Sequence, residues 1–351
     1  MQKRKIAVIF GGCSPEYEVS LQSAYSVITH IDHARYEPIL LGITRAGEWF
    51  RFSGALEKIR NDTWSNSADC VRAIISPSRE TQGVLIFETD NKISTVKLDA
   101  AMPVLHGKNG EDGTMQGMLE LAGIPIIGCN TLASALCMDK DRAHKIAEAA
   151  GVCVSRSFTI TDELDASTHF GQAKHLGYPL FVKPVRAGSS YGITKVLSEG
   201  ELADSIRFAL QYDDAVIVEE AVTGFEVGCA VLGTGSNVVV GDVDEIELTD
   251  GFFDHKEKYT LETSAIHVPA RISLQKANEM KETAKIIYKA LGCSSFARVD
   301  MFLTPAGEIL FNEVNTIPGF TAHSRYPNML KAAGMPFERV IHTLIEQAVK
   351  S

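Results

Sequence analysis

The chain has 351 residues, 45% apolar and 22% charged, with a formal net charge of −10. That length exceeds one ordinary core and predicts two or three domains; the composition excludes a disordered or fibrous chain, and the acidic balance without a Lys/Arg block excludes the basic footprint of a nucleic-acid binder. No apolar run approaches the roughly 18 residues of a membrane span, the first run is too short for a secretory signal, and seven cysteines without a C-x-x-C pair point to a reducing cytoplasm rather than to zinc or disulfides.

Residues 6–10 form a short apolar run ending in Gly11-Gly12, the pattern of a buried strand entering a turn. Residues 20–31 carry apolar positions at helical spacing. Residues 38–43 read as a second strand, and residues 98–105 as a third that ends at His106. Strand, helix, strand predicts an open parallel α/β sheet. Residues 61–97 are polar and irregular, and are expected to form a hairpin excursion from it. A helix is predicted over 115–122, a short strand over 124–128 and one further helix over 137–150. Residues 178–184 form an extended apolar run with Lys183 near its end. The small-residue loop 188–192 and a returning strand over 193–196 make it a hairpin with a mobile tip. Another strand is expected over 215–219. Residues 226–232 and 237–243 alternate as antiparallel strands, and residues 251–263 are a polar loop with aromatics. A long amphipathic helix follows over 274–291. Strands over 296–303 and 309–312 are joined by a Pro-Ala-Gly turn, and a terminal helix covers 336–350.

Four clusters carry chemistry: residues 11–20, 106–113, 183–192 and 298–324. Arg298-Val299-Asp300 ends one strand and Asn312-Glu313-Val314-Asn315 the next. Paired as a hairpin, these strands would converge Asp300, Glu313 and Asn315 on one face, because side chains alternate along a strand. Two carboxylates and an amide oxygen suit a hard cation such as Mg2+, with phosphate oxygens and water completing the shell; the competing reading is a solvated acidic hairpin. Lys183 precedes Gly188-Ser189-Ser190-Tyr191-Gly192, where small residues let backbone N–H groups approach phosphate; the competing reading is a flexible surface hairpin. Neither a Walker A loop nor a dinucleotide fingerprint is present, since Gly11-Gly12-Cys13-Ser14-Pro15 lacks G-x-G-x-x-G. His106-Gly107-Lys108-Asn109-Gly110-Glu111-Asp112-Gly113 lies where a parallel strand ends, the place where open α/β sheets bind ligands. A packed, hydrogen-bonded histidine is the plainer alternative there.

In this order the motifs Gly11-Gly12…Glu16-x-Glu18-Val19-Ser20, His106 to Gly113, Met138-Asp139-Lys140, Lys183 to Gly192, Lys258-Tyr259, Arg298-Val299-Asp300 and Asn312 to Thr321 resemble the D-alanine–D-alanine ligase family of ATP-grasp enzymes. The resemblance implies a three-domain α/β fold. An N-terminal domain with an open parallel sheet (residues 1–130) would precede two α+β subdomains (131–223 and 224–351) that clamp ATP under a lid loop, 251–263. It implies ATP and two Mg2+ (or Mn2+) ions as cofactors, small-molecule substrates, no nucleic acid or membrane partner, and a homodimer. By the same resemblance Asp300, Glu313 and Asn315 hold magnesium. Lys140, Lys183, Ser190 and the lid's Lys258 meet the ATP phosphates. Glu219 and Val222 meet adenine, and Glu226 the ribose. Arg298 and the backbone of Gly319 hold the oxyanion, while Glu16, Ser189 and Tyr259 form a triad between lid and first substrate. His106 joins the substrate loop. The implied reaction makes an acyl phosphate from D-alanine, which the amine of a second D-amino acid attacks.

The family divides by second substrate. Lys258-Tyr259 is similar to the dipeptide-forming members and disfavours D-lactate. Ser324-Arg325-Tyr326-Pro327 carries arginine where D-alanine enzymes have Met or Leu, and with Asp244 it resembles the D-alanine–D-serine ligases of vancomycin resistance. A charged pair at the subsite is expected to hydrogen-bond a serine hydroxyl, which a methyl pocket cannot. Against this stands a salt bridge that supports the wall without touching substrate. A housekeeping D-alanine–D-alanine ligase is the alternative function. Ala221, where the family often has an aromatic residue, and His255 are further departures.

Overall fold

The computed structural model describes residues 2–89, 92–161, 169–248 and 264–350 and is built on three sheets. The first contains β1 (Arg4–Gly11), β2 (Tyr36–Ile43), β3 (Trp49–Phe52), β4 (Cys70–Ile75), β5 (Gly83–Phe87), β6 (Ile93–Lys97) and β7 (Ala100–Val104), with α1 (Tyr17–His30) after β1 and the short α2 (Glu57–Arg60) after β3. β1 runs parallel to both β2 and β7. Residues 6–10 have no exposed surface, as a continuous apolar strand covered on both faces requires. Beyond β2 the sheet turns antiparallel through β3, β4, β5 and β6. The expected parallel sheet is therefore parallel across three strands only, and residues 61–97 are not an excursion but contribute three strands to the sheet. The apolar signal there is diluted because one face meets solvent, leaving Ile74, Phe87 and Ile93 exposed. Trp64 is fully buried, with its ring 5.0 Å from that of Phe10 and its indole N–H donating to the Tyr17 hydroxyl at 3.0 Å.

Three helices follow: α3 (Thr114–Ala122), α4 (Thr131–Met138) and α5 (Lys140–Ala149). The single helix expected over 137–150 is broken at Asp139, whose extended backbone (φ −86°, ψ 97°) ends α4. Its carboxylate caps α5 by accepting from Arg142 N at 2.9 Å, which satisfies an otherwise orphaned helix N–H. The break makes Lys140 the first residue of α5. Residues 124–128 supply one parallel bridge, Ala101 to Ile126, rather than a strand.

The second sheet is antiparallel and holds β8 (Ser157–Ile160), β9 (Leu180–Pro184), β10 (Thr194–Val196) and β11 (Val216–Glu220) in the order β10-β9-β11-β8. α6 (Phe170–Leu176) and α7 (Glu199–Ala209) belong with it, and α7 packs on β9 and β10. In the third sheet β12 (Phe225–Leu232) pairs with β13 (Val239–Val240), β14 (Asp244–Leu248) and β16 (Phe296–Leu303). β15 (Ser264–His267) lies outside β14, and β17 (Ile309–Asn315) outside β16. The strand expected over 237–243 is reduced to β13, and β14 is the longer partner. α8 (Leu274–Ala290) packs on β12 and β16, ahead of α9 (Arg325–Ala332) and α10 (Phe337–Lys350).

Two of the cores draw on segments far apart in the sequence. Ala133, Cys137, Ala143 and Ala147 of α4 and α5 are buried with β12, β16, β17 and α8. Val340, Ile341, Leu344 and Ile345 of α10 join the core of β1 and α1. Arg4 donates to Glu346 at 2.7 Å and the Tyr36 hydroxyl to the same carboxylate at 2.9 Å, fastening α10 to the first sheet. No helix among the described residues is long and apolar enough to cross a membrane.

Candidate active site

The β16–β17 register pairs Asp300 with Glu313 and Arg298 with Asn315, with a bulge after Asp300. All four side chains therefore leave one face, which brings Asp300, Glu313 and Asn315 together as the sequence pattern implied. Arg298 forks onto Asp300, donating from Nε at 2.8 Å and from Nη2 at 2.7 Å, and Asn315 Nδ2 donates to Asp300 Oδ2 at 2.9 Å. Lys140 Nζ lies 3.9 Å from Glu313 Oε2 and donates to Ala187 O at 2.7 Å. Among the described residues no three of His, Cys, Asp and Glu are grouped to hold a metal. The oxygen-bearing side chains that this face brings together are Asp300, Glu313 and the Asn315 amide. Asn315 shows its N–H side to Asp300 here, and turning the amide over exchanges donor for acceptor. Two carboxylates and an amide oxygen fit a hard divalent cation.

Lys183 and Glu219 face each other across β9 and β11, with Lys183 Nζ donating to Glu219 Oε2 at 2.7 Å. Both are buried. Burial alone would lower the lysine pKa, but the Glu219 carboxylate overrides it and holds the ammonium above its ordinary value. Burial likewise opposes ionisation of Glu219, and Lys183 outweighs it, keeping the carboxyl low. This places a buried ammonium where the sequence suggested phosphate contact. Val222 is half-buried on the connection between β11 and β12.

At the other end Glu16 meets two distant chain segments, those of Gly107 and of Gly188–Ser189. Ser189 Oγ donates to its Oε1. A Cβ on Gly107 would stand 2.3 Å from Glu16 Oε2, and one on Gly188 2.9 Å from it, so glycine lets both segments close on the carboxylate, and the left-handed backbone of Gly107 (φ 71°) favours glycine as well. Ser189 and Ser190 hold left-handed backbone (φ 48° and 58°), which costs L-residues roughly 1–2 kcal/mol each and belongs to the class of turns that make anion-binding concavities.

His106 is a strut rather than an open contact. Its Nδ1–H donates to Ile317 O at 2.8 Å, and Nε2 meets Ser23 Oγ at 3.2 Å. Burial lowers its pKa to about 4, so the ring is neutral. Glu111, which sequence reasoning did not single out, accepts from Gly107 N and Ile317 N, each at 2.9 Å. Burial and neighbouring Glu16 push its pKa up to about 8. His106 and Glu111 thus tie the loop after β7 to the segment that carries Gly319. Gly319 faces Ser324, whose Oγ accepts from Thr321 N at 3.1 Å and meets Thr321 Oγ1 at 2.8 Å.

Arg325 opens α9. Its Nε and Nη2 fork onto Asp244 at 2.7 and 2.8 Å, Nη1 donates to Glu226 at 2.9 Å, and Nη2 lies 3.4 Å from Asp300 Oδ1. Asp244 has no exposed surface. Asp244, expected at the second-substrate site, has both its oxygens engaged by the guanidinium. Glu226, expected at the ribose, also faces Arg325. Gly228 permits this arrangement, because on β12 it pairs with Asp244 on one side and Asp300 on the other. A Cβ there would lie 2.6 Å from both Arg325 Nη2 and Asp244 Oδ1. No sequence signal marked Gly228, whose neighbours lie 16 and 72 positions away. Lys258, Tyr259, His255 and the remainder of the expected lid lie outside the described residues.

Comparison with known proteins covers nearly the whole chain. The D-ala D-ala ligase N-terminus model matches residues 5–129 and the D-ala D-ala ligase C-terminus model residues 146–346. The vancomycin B-type resistance protein VanB of Enterococcus faecalis is 44% identical over 354 residues, covering 100% of each chain. The D-alanine–D-alanine ligase of Caldicellulosiruptor bescii is 39% identical, covering 100% of this chain and 96% of that protein. The crystal structure of the VanG D-Ala:D-Ser ligase from Enterococcus faecalis has a TM-score of 0.91 at 54% identity, covering 98% of this chain and 99% of that one. Sequence and fold agree along the same span, and the chain belongs to the D-alanine–D-alanine ligase family of ATP-dependent ligases.

Proposed function

We propose that this ligase joins D-alanine to D-serine through a D-alanyl phosphate, giving a peptidoglycan precursor of vancomycin resistance. The observation that carries the second substrate is Arg325, a guanidinium held by Asp244 and Glu226 beside Asp300. A fixed cationic donor suits a hydroxyl-bearing substrate better than a methyl group. Similarity to the VanG D-Ala:D-Ser ligase, at 54% identity, supports the same reading.

A carboxylate is a poor acyl donor, and phosphorylation by ATP activates it. Lys140, Lys183 and Arg298 offset charge on the transferring phosphoryl group. Asp300, Glu313 and Asn315 would hold Mg2+ or Mn2+, which supplies Lewis-acid charge to phosphate oxygens when bound. Ser190 and the backbone of Gly319 add donors around the phosphate and oxyanion. Glu16 and Ser189, the latter on the β9–β10 loop, close the first-substrate end. Val222 borders the adenine, and Tyr259 and Lys258 complete the lid that keeps water from the acyl phosphate.

A second reading, D-alanine as second substrate, is favoured by one observation: three Arg325 nitrogens are already engaged by carboxylates. The test is direct competition. The enzyme receives D-alanine and D-serine at equal concentration near neutral pH, and dipeptides are resolved by mass. D-alanyl-D-serine is the expected main product; predominant D-alanyl-D-alanine overturns the D-serine assignment.

A further inference from the structure

His144 lies on α5, buried between the Lys183–Glu219 pair and β17. Its Nε2 is 2.7 Å from Asn312 O. A carbonyl only accepts, so Nε2 carries the proton and a neutral ring turns the bare Nδ1 lone pair the other way. That lone pair faces Glu219 Oε1 at 3.9 Å. Neither atom has a hydrogen-bond partner among the described residues. Two buried acceptors facing each other are unfavourable, and a single proton on Nδ1 removes the conflict.

We infer that His144 is a positioning residue of the nucleotide site, taking over Glu219 when Lys183 turns to the nucleotide phosphates. The inference rests on the proposed phosphate role of Lys183. While Lys183 holds Glu219 Oε2, the buried carboxylate has its cation. Once the ammonium leaves, Glu219 would be a buried charge without one, which is strongly unfavourable. A proton from solvent on Nδ1 makes His144 an imidazolium. It then donates Nε2–H to Asn312 O and Nδ1–H to Glu219 Oε1, satisfying both open atoms. Around this ring stand Glu219 on β11, whose carboxylate also feels Lys183 on β9 and Lys140 at the start of α5, and the Phe311 ring on β17 at 5.3 Å. Asn312 also joins His144 to the strand end that carries Glu313, so the exchange reports on both walls of the site.

The consequence is proton uptake linked to nucleotide binding. The experiment is calorimetric binding of a non-hydrolysable ATP analogue with Mg2+, without amino acids, near pH 7.5 in buffers of different ionisation enthalpy. Wild type is expected to take up close to one proton more than His144→Gln, which binds roughly tenfold or more weakly. Thermal melts of His144→Gln and His144→Asn establish that the variants fold. Lys183→Ala, in which His144 already serves Glu219 before nucleotide arrives, is expected to lose the extra uptake as well as affinity. Equal proton counts in wild type and His144→Gln overturn the inference, even with altered affinity, because a packing role changes affinity alone. Unchanged affinity in Lys183→Ala would instead remove the phosphate role of Lys183, and the inference with it.

Discussion

Replacing Arg325 with methionine separates the two roles open to the guanidinium. The change removes two donors to Asp244 and one to Glu226. Asp244 has no solvent contact, so water cannot replace the lost cation. Leaving one partner of a buried pair behind costs about 3–5 kcal/mol. Adding Asp244→Asn neutralises the stranded carboxylate and leaves the smaller penalty of an imperfectly satisfied amide, about 1–3 kcal/mol. Arg325→Met/Asp244→Asn is therefore expected to be more stable than Arg325→Met by about 2 kcal/mol. Urea unfolding midpoints of wild type, both single variants and the double variant give this coupling. The same proteins in the competition assay are expected to shift toward D-alanine by roughly ten- to hundredfold. Arg325→Met with wild-type stability, or a double variant no more stable than it, would refute the buried-pair reasoning. An unchanged product ratio would refute the specificity role alone.

Three other outcomes follow from the geometry. Gly228→Ala places a methyl group 2.6 Å from Arg325 Nη2; it should lose about 1–3 kcal/mol by overpacking and change the product ratio in the same direction as Arg325→Met, read by thermal melts and dipeptide mass. Glu313→Gln should fold normally, because the side chain is 24% exposed, yet lose most phosphate release even at high Mg2+; normal turnover there would remove Glu313 from the ligand set. Glu111 has its pKa raised by burial and Glu16 from 4.5 to about 8, so the folded state holds a proton that the unfolded chain releases. Its stabilising contribution is complete below pH 4.5 and declines as pH rises toward 8, by up to about 1.4 kcal/mol per pH unit. Glu111→Gln should flatten the stability–pH profile across that window, and a slope equal to wild type would contradict the assignment.

Local chemistry was legible where it stayed local. The run at residues 6–10 gave β1 because both faces are buried, and the spacing of Asp300, Glu313 and Asn315 gave the hairpin face because strand alternation is fixed. β4 to β6 escaped notice because half of their side chains face solvent and blur the apolar pattern. The helix break at Asp139 was obscured by helix-forming residues on both sides, although aspartate is a strong cap. Glu111 and His144 were missed for another reason: their partners are backbone groups of Ile317 and Asn312, 206 and 168 positions away. Backbone groups carry no residue-type signature. Arg325 and Asp244 were legible as a pair, but not which way they faced, since that depends on a glycine one strand over.

The fastening of α10 to the first sheet orders events during synthesis. β1, α1 and β7 leave the ribosome early, but the apolar face covered by Val340, Ile341, Leu344 and Ile345 waits for residues 337–350. At roughly 5–20 residues per second, that interval is on the order of ten seconds or more. Throughout it the nascent N-terminal segment shows a sticky surface whose natural cover has not yet been translated. Chaperone dependence and aggregation of C-terminally truncated fragments should concentrate there.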